Sequence, residues 1–385
     1  MTQYTTPQYD HFLQDLESLV NVDSCSDDHQ GILEVGLFLK ERLLAAGLQA
    51  HIVALGKEKT PCLEAVSTLS DTYDVLLLGH MDTVFPKGTA STRPFTVKDN
   101  RAYGPGVSDM KAGLLVALYA VEAMSRERFF ERFKVRVAFN GDEETGSHNS
   151  RDWIRDSAKT CKRVLVFEPC RPGWGFVLDR KGGGAYTITA KGKASHAGVA
   201  PELGVNALLA MAYRLQEIHR LTNWEKGTTV MPTVMHSGDK DNVIPDLATA
   251  KIDVRFSEVA EMERLEQYFS DLSGFKDQNG ARFKVLGGIE KPPMNPNPET
   301  LALWQLLMEE GRRFNIKPER IFTGGCSDGN YTAALGIPTM DGMGAVGSGA
   351  HTENEHVELN SIIPMIQLVF AICRRLSAAK PLSCH

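Results

Sequence analysis

The chain has 385 residues, enough for two or three domains and a sizeable core. Lys and Arg number 42 against 48 Asp and Glu, a formal charge of −6. A balance this mildly acidic speaks against nucleic-acid or anionic-membrane partners, which call for a basic face. No apolar stretch approaches the ~20 residues that cross a bilayer. Residues 1–7 lack the basic start and apolar run of a secretory signal, so the expected location is the cytoplasm. The cysteines, Cys25, Cys62, Cys161, Cys170, Cys326, Cys373 and Cys384, are odd in number and form no CxxC. That pattern is neither a disulfide framework nor a thiolate zinc site, and idle thiols are expected.

Residues 8–47 read as two amphipathic helices, with Phe12, Leu16, Leu19 and Val20, then Ile32, Val35, Leu39 and Leu43, at helical spacing. From 49 to 167 strand-like and helix-like segments alternate, the α/β pattern. Within this stretch residues 75–78, 135–139 and 164–167 are apolar runs, as in strands buried on both faces of a parallel sheet. Residues 104–113 predict a turn and a helix start, which places Asp109 at or near a helix amino terminus, where a carboxylate is tolerated as a cap.

Near Arg180 the texture changes. Lys181-Gly182-Gly183-Gly184 reads as a flexible break. It is followed by strand 185–190, helix 204–220, strands 228–236 and 248–256, helix 258–272 and strand 282–286. Strand–helix–strand–strand–helix–strand is the ferredoxin-like arrangement. The proline-rich residues 292–298 mark its exit, and the chain closes on an amphipathic helix over 362–374. The expected fold is therefore α/β, a mixed sheet sandwiched by helices over 1–180 and 291–385. An α+β domain is inserted over 181–290.

Three of the apolar runs end in chemistry: His80 with Asp82, Glu143 with Glu144, and Glu168. Ligands of such sheets gather beyond the carboxyl ends of the strands. Imidazole mixed with carboxylate suits a divalent metal such as zinc, with cobalt and manganese also compatible. Asp82, two residues beyond His80, can accept from the imidazole nitrogen that does not face a metal. Singly, each feature has an ordinary reading: an H-x-D loop, a helix cap, a solvated acidic pair. Together, four acidic segments at one sheet edge repel unless cations neutralise them. The adjacent Glu143 and Glu144 suggest a division of labour, one binding metal and its neighbour serving as general base. A glycine-rich loop, residues 342–356, ends in His351 and His356, and either could supply a further ligand.

Gly79-His80-Met81-Asp82-Thr83-Val84, Tyr103-Gly104-Pro105-Gly106-Val107-Ser108-Asp109-Met110-Lys111, Gly141-Asp142-Glu143-Glu144-Thr145-Gly146-Ser147 and Glu168-Pro169 resemble the signatures of the co-catalytic zinc exopeptidases. That superfamily includes carboxypeptidase G, the aminoacylases and succinyl-diaminopimelate desuccinylase. Gly192-Lys193-Ala194-Ser195-His196-Ala197-Gly198 and the following Pro201–Ala207 stretch look closest to the carboxypeptidase G (glutamate carboxypeptidase) branch.

The resemblance implies two zinc ions, one held by His80 and Glu168, the other by Glu144 and His351, with Asp109 bridging them. It selects His351 over His356, because Asn354-Glu355 follows it as the family's acidic pair. Glu143 would be the general base and Asp82 would orient His80. Met110 departs from the acidic residue that many members carry there. The insert would be a lid that also forms a homodimer, with His196 reaching toward the partner subunit's site. Asn242 and Arg255 would contact a substrate carboxylate, the planar guanidinium being matched to it. The Thr323–Gly329 stretch lacks the Gly-Lys-Ser/Thr of a phosphate loop. By the resemblance it lines the site, with the Gly325 backbone meeting substrate, and Cys326 has no histidine motif that would make it a nucleophile.

The implied activity is dizinc hydrolysis of an amide or peptide bond next to a free carboxylate, most plainly a glutamate carboxypeptidase. The nearest alternatives are an N-acyl-amino-acid deacylase, a desuccinylase or a dipeptidase. A non-catalytic binding module is the remote one, and retention of Glu143 and every ligand argues against it.

Overall fold

The structure is a computed structural model, and it describes residues 6–378, with side chains from Gln8 onward. Cys384 lies outside the described residues; the other six cysteines are free thiols. The chain divides into two compact units. The first runs through Asp179 and resumes over Asn295–Phe322 and from Ser327 on; the second is Arg180–Met294 with Thr323–Cys326.

The first unit is built on a six-stranded sheet. Its order is Gln49–Leu55, Thr60–Val66, Val135–Asn140, Val75–His80, Val164–Val166, Thr339–Met340. Val75–His80 pairs parallel with both of its neighbours, whereas Thr60–Val66 is antiparallel to Val135–Asn140, so the sheet is mixed. Alternation along Val75–His80 explains its unbroken apolarity. Val75 and Leu77 pack into one core, with helices Thr6–Val20, His29–Ala45, Ala112–Arg126 and Ile362–Ala378, while Leu76 and Leu78 pack into a second, with Ile154 and Ala158 of Arg151–Lys159. Both faces are thus covered by helices, and a polar residue on either face would have been buried.

One sequence expectation fails here. Leu359–Ala378 is long and apolar enough to cross a membrane. Its composition has another cause: Ile362, Met365, Ile366, Leu368, Val369 and Ile372 are buried in the first core. A helix enclosed by protein is apolar on most of its circumference, as a membrane span is.

The second unit is a four-stranded antiparallel sheet in the order Thr229–Ser237, Leu247–Phe256, Gly182–Lys191, Arg282–Lys291. In chain order this is the 4-1-3-2 sheet of a ferredoxin-like unit. Its helices Ala207–His219 and Val259–Leu272 share a core with the sheet through Met211, Ile218, Leu265 and Phe269. The glycines expected to form a flexible break instead begin the strand Gly182–Lys191 and are buried. A side chain at Gly184 would stand 2.3 Å from the carbonyl oxygen of Gly288 on the neighbouring strand. Glycine here serves close backbone approach rather than flexibility.

Candidate metal centre

Strand ends deliver the first groups. His80 is the last residue of its strand, Glu168 lies two residues beyond Val164–Val166, and Glu143–Thr145 forms a helical turn just after Val135–Asn140. Asp109 lies in an irregular turn, Val107–Lys111, that leads into helix Ala112–Arg126. Its φ of −115° and ψ of 91° are not helical, and its peptide bond to Met110 is cis. The carboxylate therefore does not cap the helix, as sequence position allowed, but lies between two imidazoles.

Asp109 Oδ1 is 3.1 Å from His80 Nε2, and Asp109 Oδ2 is 3.2 Å from His351 Nε2. The same ring nitrogens each meet a glutamate: Glu168 Oε1 is 3.7 Å from His80 Nε2, and Glu144 Oε2 is 3.2 Å from His351 Nε2. His80, Asp109 and Glu144 offer donor atoms all within 4.8 Å of one another. His356 falls outside this cluster, in strand His356–Glu358, with its ring 5.4 Å from that of Tyr103.

These residues fit metal ions on two counts. Donor atoms ~2.1 Å from a shared tetrahedral ion stand roughly 3.4 Å apart, close to the spacings seen. The second count is charge. His80 Nδ1 lies 3.0 Å from the Asp82 carbonyl oxygen and donates to it, so in a neutral ring Nε2 would turn a lone pair toward Asp109. Such a contact needs a cation, or a second proton, between the two. Burial opposes charge on His80, but hydrogen bonds to Asp109 and Asp82 raise its pKa well above the usual value. Hydrogen bonds to Asp109 and Glu144 push His351 up to about 10. Burial favours a neutral Asp109, yet both histidines outweigh it and hold the carboxyl well below its ordinary range. Burial and the Asp109 charge push Glu144 up to about 7, against the His351 hydrogen bond, and raise Glu168 well above normal. Protons thus do what a cation would do, and Glu144 Oε1 is buried with no hydrogen-bond partner.

The Asp82 carboxylate has backbone partners as well as the His80 ring. Its Oδ1 lies 3.4 Å from His80 Nδ1, and the two carboxylate oxygens accept the backbone N–H of Glu143 and of Glu144, each at 3.1 Å. Ser26 donates to the same carboxylate at 2.7 Å. Met110 packs against the floor of the site, where its sulfur accepts the His80 N–H at 3.2 Å. Sequence reasoning missed a further buried acid, Glu355, whose carboxylate accepts backbone N–H groups from Gly106, Ser108 and Asp109. Its place in the Asn354-Glu355 pair was the only signal.

In the second unit His196 and Val243 pair across a short ladder, and Ala197 N–H donates to the Asn242 carbonyl, so His196 and Asn242 are neighbours. His196 is exposed, and its Nδ1 accepts from Gly198 and Val199 N–H, which leaves the proton of the neutral ring on Nε2. Asp253 takes the Nε and Nη2 edge of Arg255, at 3.2 and 2.8 Å, and Arg255 Nη1 donates to Cys326 Sγ at 3.4 Å. The Gly325 carbonyl accepts from Arg180 at 3.1 Å.

The family model for "Peptidase family M20/M25/M40" matches residues 76–375. The chain belongs to this peptidase family. Carboxypeptidase G2 of Pseudomonas sp. (strain RS-16) is 30% identical over 98% of this chain and 92% of its own length. Succinyl-diaminopimelate desuccinylase of Delftia acidovorans is 26% identical over 92% and 95%. Among solved structures, a tripeptidase from Staphylococcus aureus superposes with a TM-score of 0.78 at 21% identity, covering 96% of this chain and 99% of that one. A dinuclear metal binding peptidase of the M20 family from Bacillus subtilis gives 0.70 at 14%, covering 97% and 99%. These two likenesses are of fold. As an M20 peptidase the chain is a metal-dependent hydrolase of amide or peptide bonds, built on the family's mixed α/β fold.

Proposed function

We propose that this M20 peptidase is a glutamate-type carboxypeptidase working with two zinc ions. His80 and Glu168 would hold one, His351 and Glu144 the other, and Asp109 would bridge them. The observation that carries the reading is the paired geometry of Asp109, each oxygen facing the Nε2 of one histidine, which also meets one glutamate. Bound cations would acidify a water and polarise the scissile carbonyl. Glu143 accepts the proton of the attacking water and returns it to the leaving amine. It is half-buried beside Glu144, and Asp82 fixes the backbone of both, so neighbouring carboxylates can take different duties.

The substrate's free carboxylate would meet the outer Nη1–Nη2 end of Arg255, since Asp253 already holds the other edge, with Asn242 and the Gly325 backbone completing the contact. His196 Nε2–H would donate to the developing oxyanion of the partner subunit's site. A homodimer through the second unit is supported by the sheet edge at Thr229–Ser237 and by exposed Leu208, Leu209 and Tyr213 on the adjacent helix. The likeness of the 192–207 stretch to the glutamate carboxypeptidase branch supports glutamate as the released residue, and the 30% identity to carboxypeptidase G2 supports a carboxypeptidase.

Turnover of folyl-glutamates, N-acyl-amino acids, N-succinyl-diaminopimelate and dipeptides, compared by kcat/KM, tests the reading. A preference for the glutamyl amide is expected. A larger value on the succinyl or acyl substrates would make the enzyme a desuccinylase or deacylase instead.

A further inference from the structure

Glu355 is fully buried, yet Lys111, a buried cation within electrostatic reach, spends its ammonium on the Val22 carbonyl at 2.8 Å. The partners of Glu355 are backbone amides. Oε1 accepts from Ser108 at 2.8 Å and Asp109 at 2.9 Å, and Oε2 accepts from Gly106 at 2.9 Å. Gly106 has a φ of +71°, and beside this left-handed residue the N–H groups of Gly106, Ser108 and Asp109 converge into a concave anion nest. The donors lie 246 to 249 residues away from Glu355 in sequence, so the contact ties two distant loops together.

The other loop matters equally. His351, itself at φ +64°, sits four residues before Glu355 in a tight turn where Thr352 N–H donates to Gly349 and Glu355 N–H to Thr352. One short segment therefore delivers His351 to the Asp109 carboxylate and Glu355 to the Asp109 backbone.

We propose that Glu355 is a positioning residue: by holding the amides of Gly106, Ser108 and Asp109 it sets the Asp109 carboxylate between His80 and His351. This rests on the reading that Asp109 bridges two cations. Because Asp109 faces both histidines, loss of the clamp weakens both ions, whereas loss of His351 weakens chiefly one.

The test uses the full-length metal-free enzyme, titrated with Co2+ and followed by calorimetry and elemental content. Glu355→Gln keeps the shape but turns an NH2 group toward an N–H donor. Both ions should bind roughly 10–100-fold more weakly, the usual cost of losing a partner that orients a ligand, and Glu355→Ala should cost more than Gln. A merely structural role would lower the melting temperature and leave the affinity of the folded protein unchanged, and that result overturns the proposal.

Asp109→Asn separates the two readings. If it binds two ions as tightly as the wild type, the bridging reading fails. If it loses both ions while Glu355→Gln loses neither, only the clamp fails. Should the Glu355 variants not fold, amide exchange decides in the metal-free wild type. Gly106, Ser108 and Asp109 should be protected, and exchange at the rate of exposed amides overturns the clamp.

Discussion

Two groups of buried carboxylates, one in each unit, are neutralised differently. In the second unit Glu261 is buried with its partners supplied: Arg264 at 2.6 Å, Lys226 at 3.2 Å and Thr228 at 2.9 Å. Its pKa falls to about 2, chiefly through the Arg264 hydrogen bond and against the effect of burial. In the first unit Asp109, Glu144 and Glu168 crowd two histidines and, among the described residues, pair with no lysine or arginine, and the glutamate pKa values rise instead. A buried acid whose countercharge is built into the chain is structural. A cluster whose countercharge is missing is set up to take a cation from outside, at a cost to stability that binding offsets.

Four experiments sharpen or break this contrast. The largest effect is expected from Glu143→Ala, which should keep both metals by elemental analysis and lower kcat by ~10²- to 10⁴-fold, the usual worth of a general base. Activity within about tenfold of wild type would move the base elsewhere, and loss of metal would make Glu143 a ligand.

Next, His351→Ala should strip or weaken one metal. His356→Ala should leave metal content unchanged and cost at most about 1 kcal/mol of stability, through its contact with Tyr103. The reverse result would break the assignment of the glycine-rich loop.

For the second unit, Glu261→Gln should cost roughly 2–3 kcal/mol of stability at neutral pH. The folded pKa of Glu261 lies below its ordinary value of 4.5. Its stabilisation is therefore present above pH 4.5 and is lost as pH falls toward 2. The difference in melting temperature between wild type and variant should shrink across that window. A difference independent of pH would mean that the ion pairs are not its source.

The smallest effect is expected at Arg255, where lysine keeps the charge but not the planar fork. Arg255→Lys should raise KM about tenfold for a substrate with a free carboxylate, and much less for its amide. Equal changes for both would remove Arg255 from carboxylate recognition.

Local periodicity revealed the three parallel strands and the order of elements in the insert. The uniform apolarity of Val75–Leu78 requires both faces to be covered, and two separate cores cover them. The strand–helix order of the insert already implied a ferredoxin-like sheet, because short connections permit few alternatives. The ends of the parallel strands pointed to His80, Glu143, Glu144 and Glu168, since a carboxylate or imidazole directly after a buried strand has few inexpensive places to go.

What periodicity could not supply was direction in the loops. Asp109 by spacing was a helix cap; the fold takes its backbone out of helical geometry and turns the carboxylate to the histidines. His351 and His356 are equivalent in composition, and only the pairing of His356–Glu358 with Arg101–Tyr103 draws one of them away from Asp109. Gly182–Gly184 read as a break because a local window cannot see the strand that crowds them. Glu355 was read only as part of an acidic pair, because its amide partners are some 250 residues distant. Side-chain period is a property of neighbours in sequence. The direction of a loop carboxylate is set by hydrogen bonds to parts of the chain that only folding brings near.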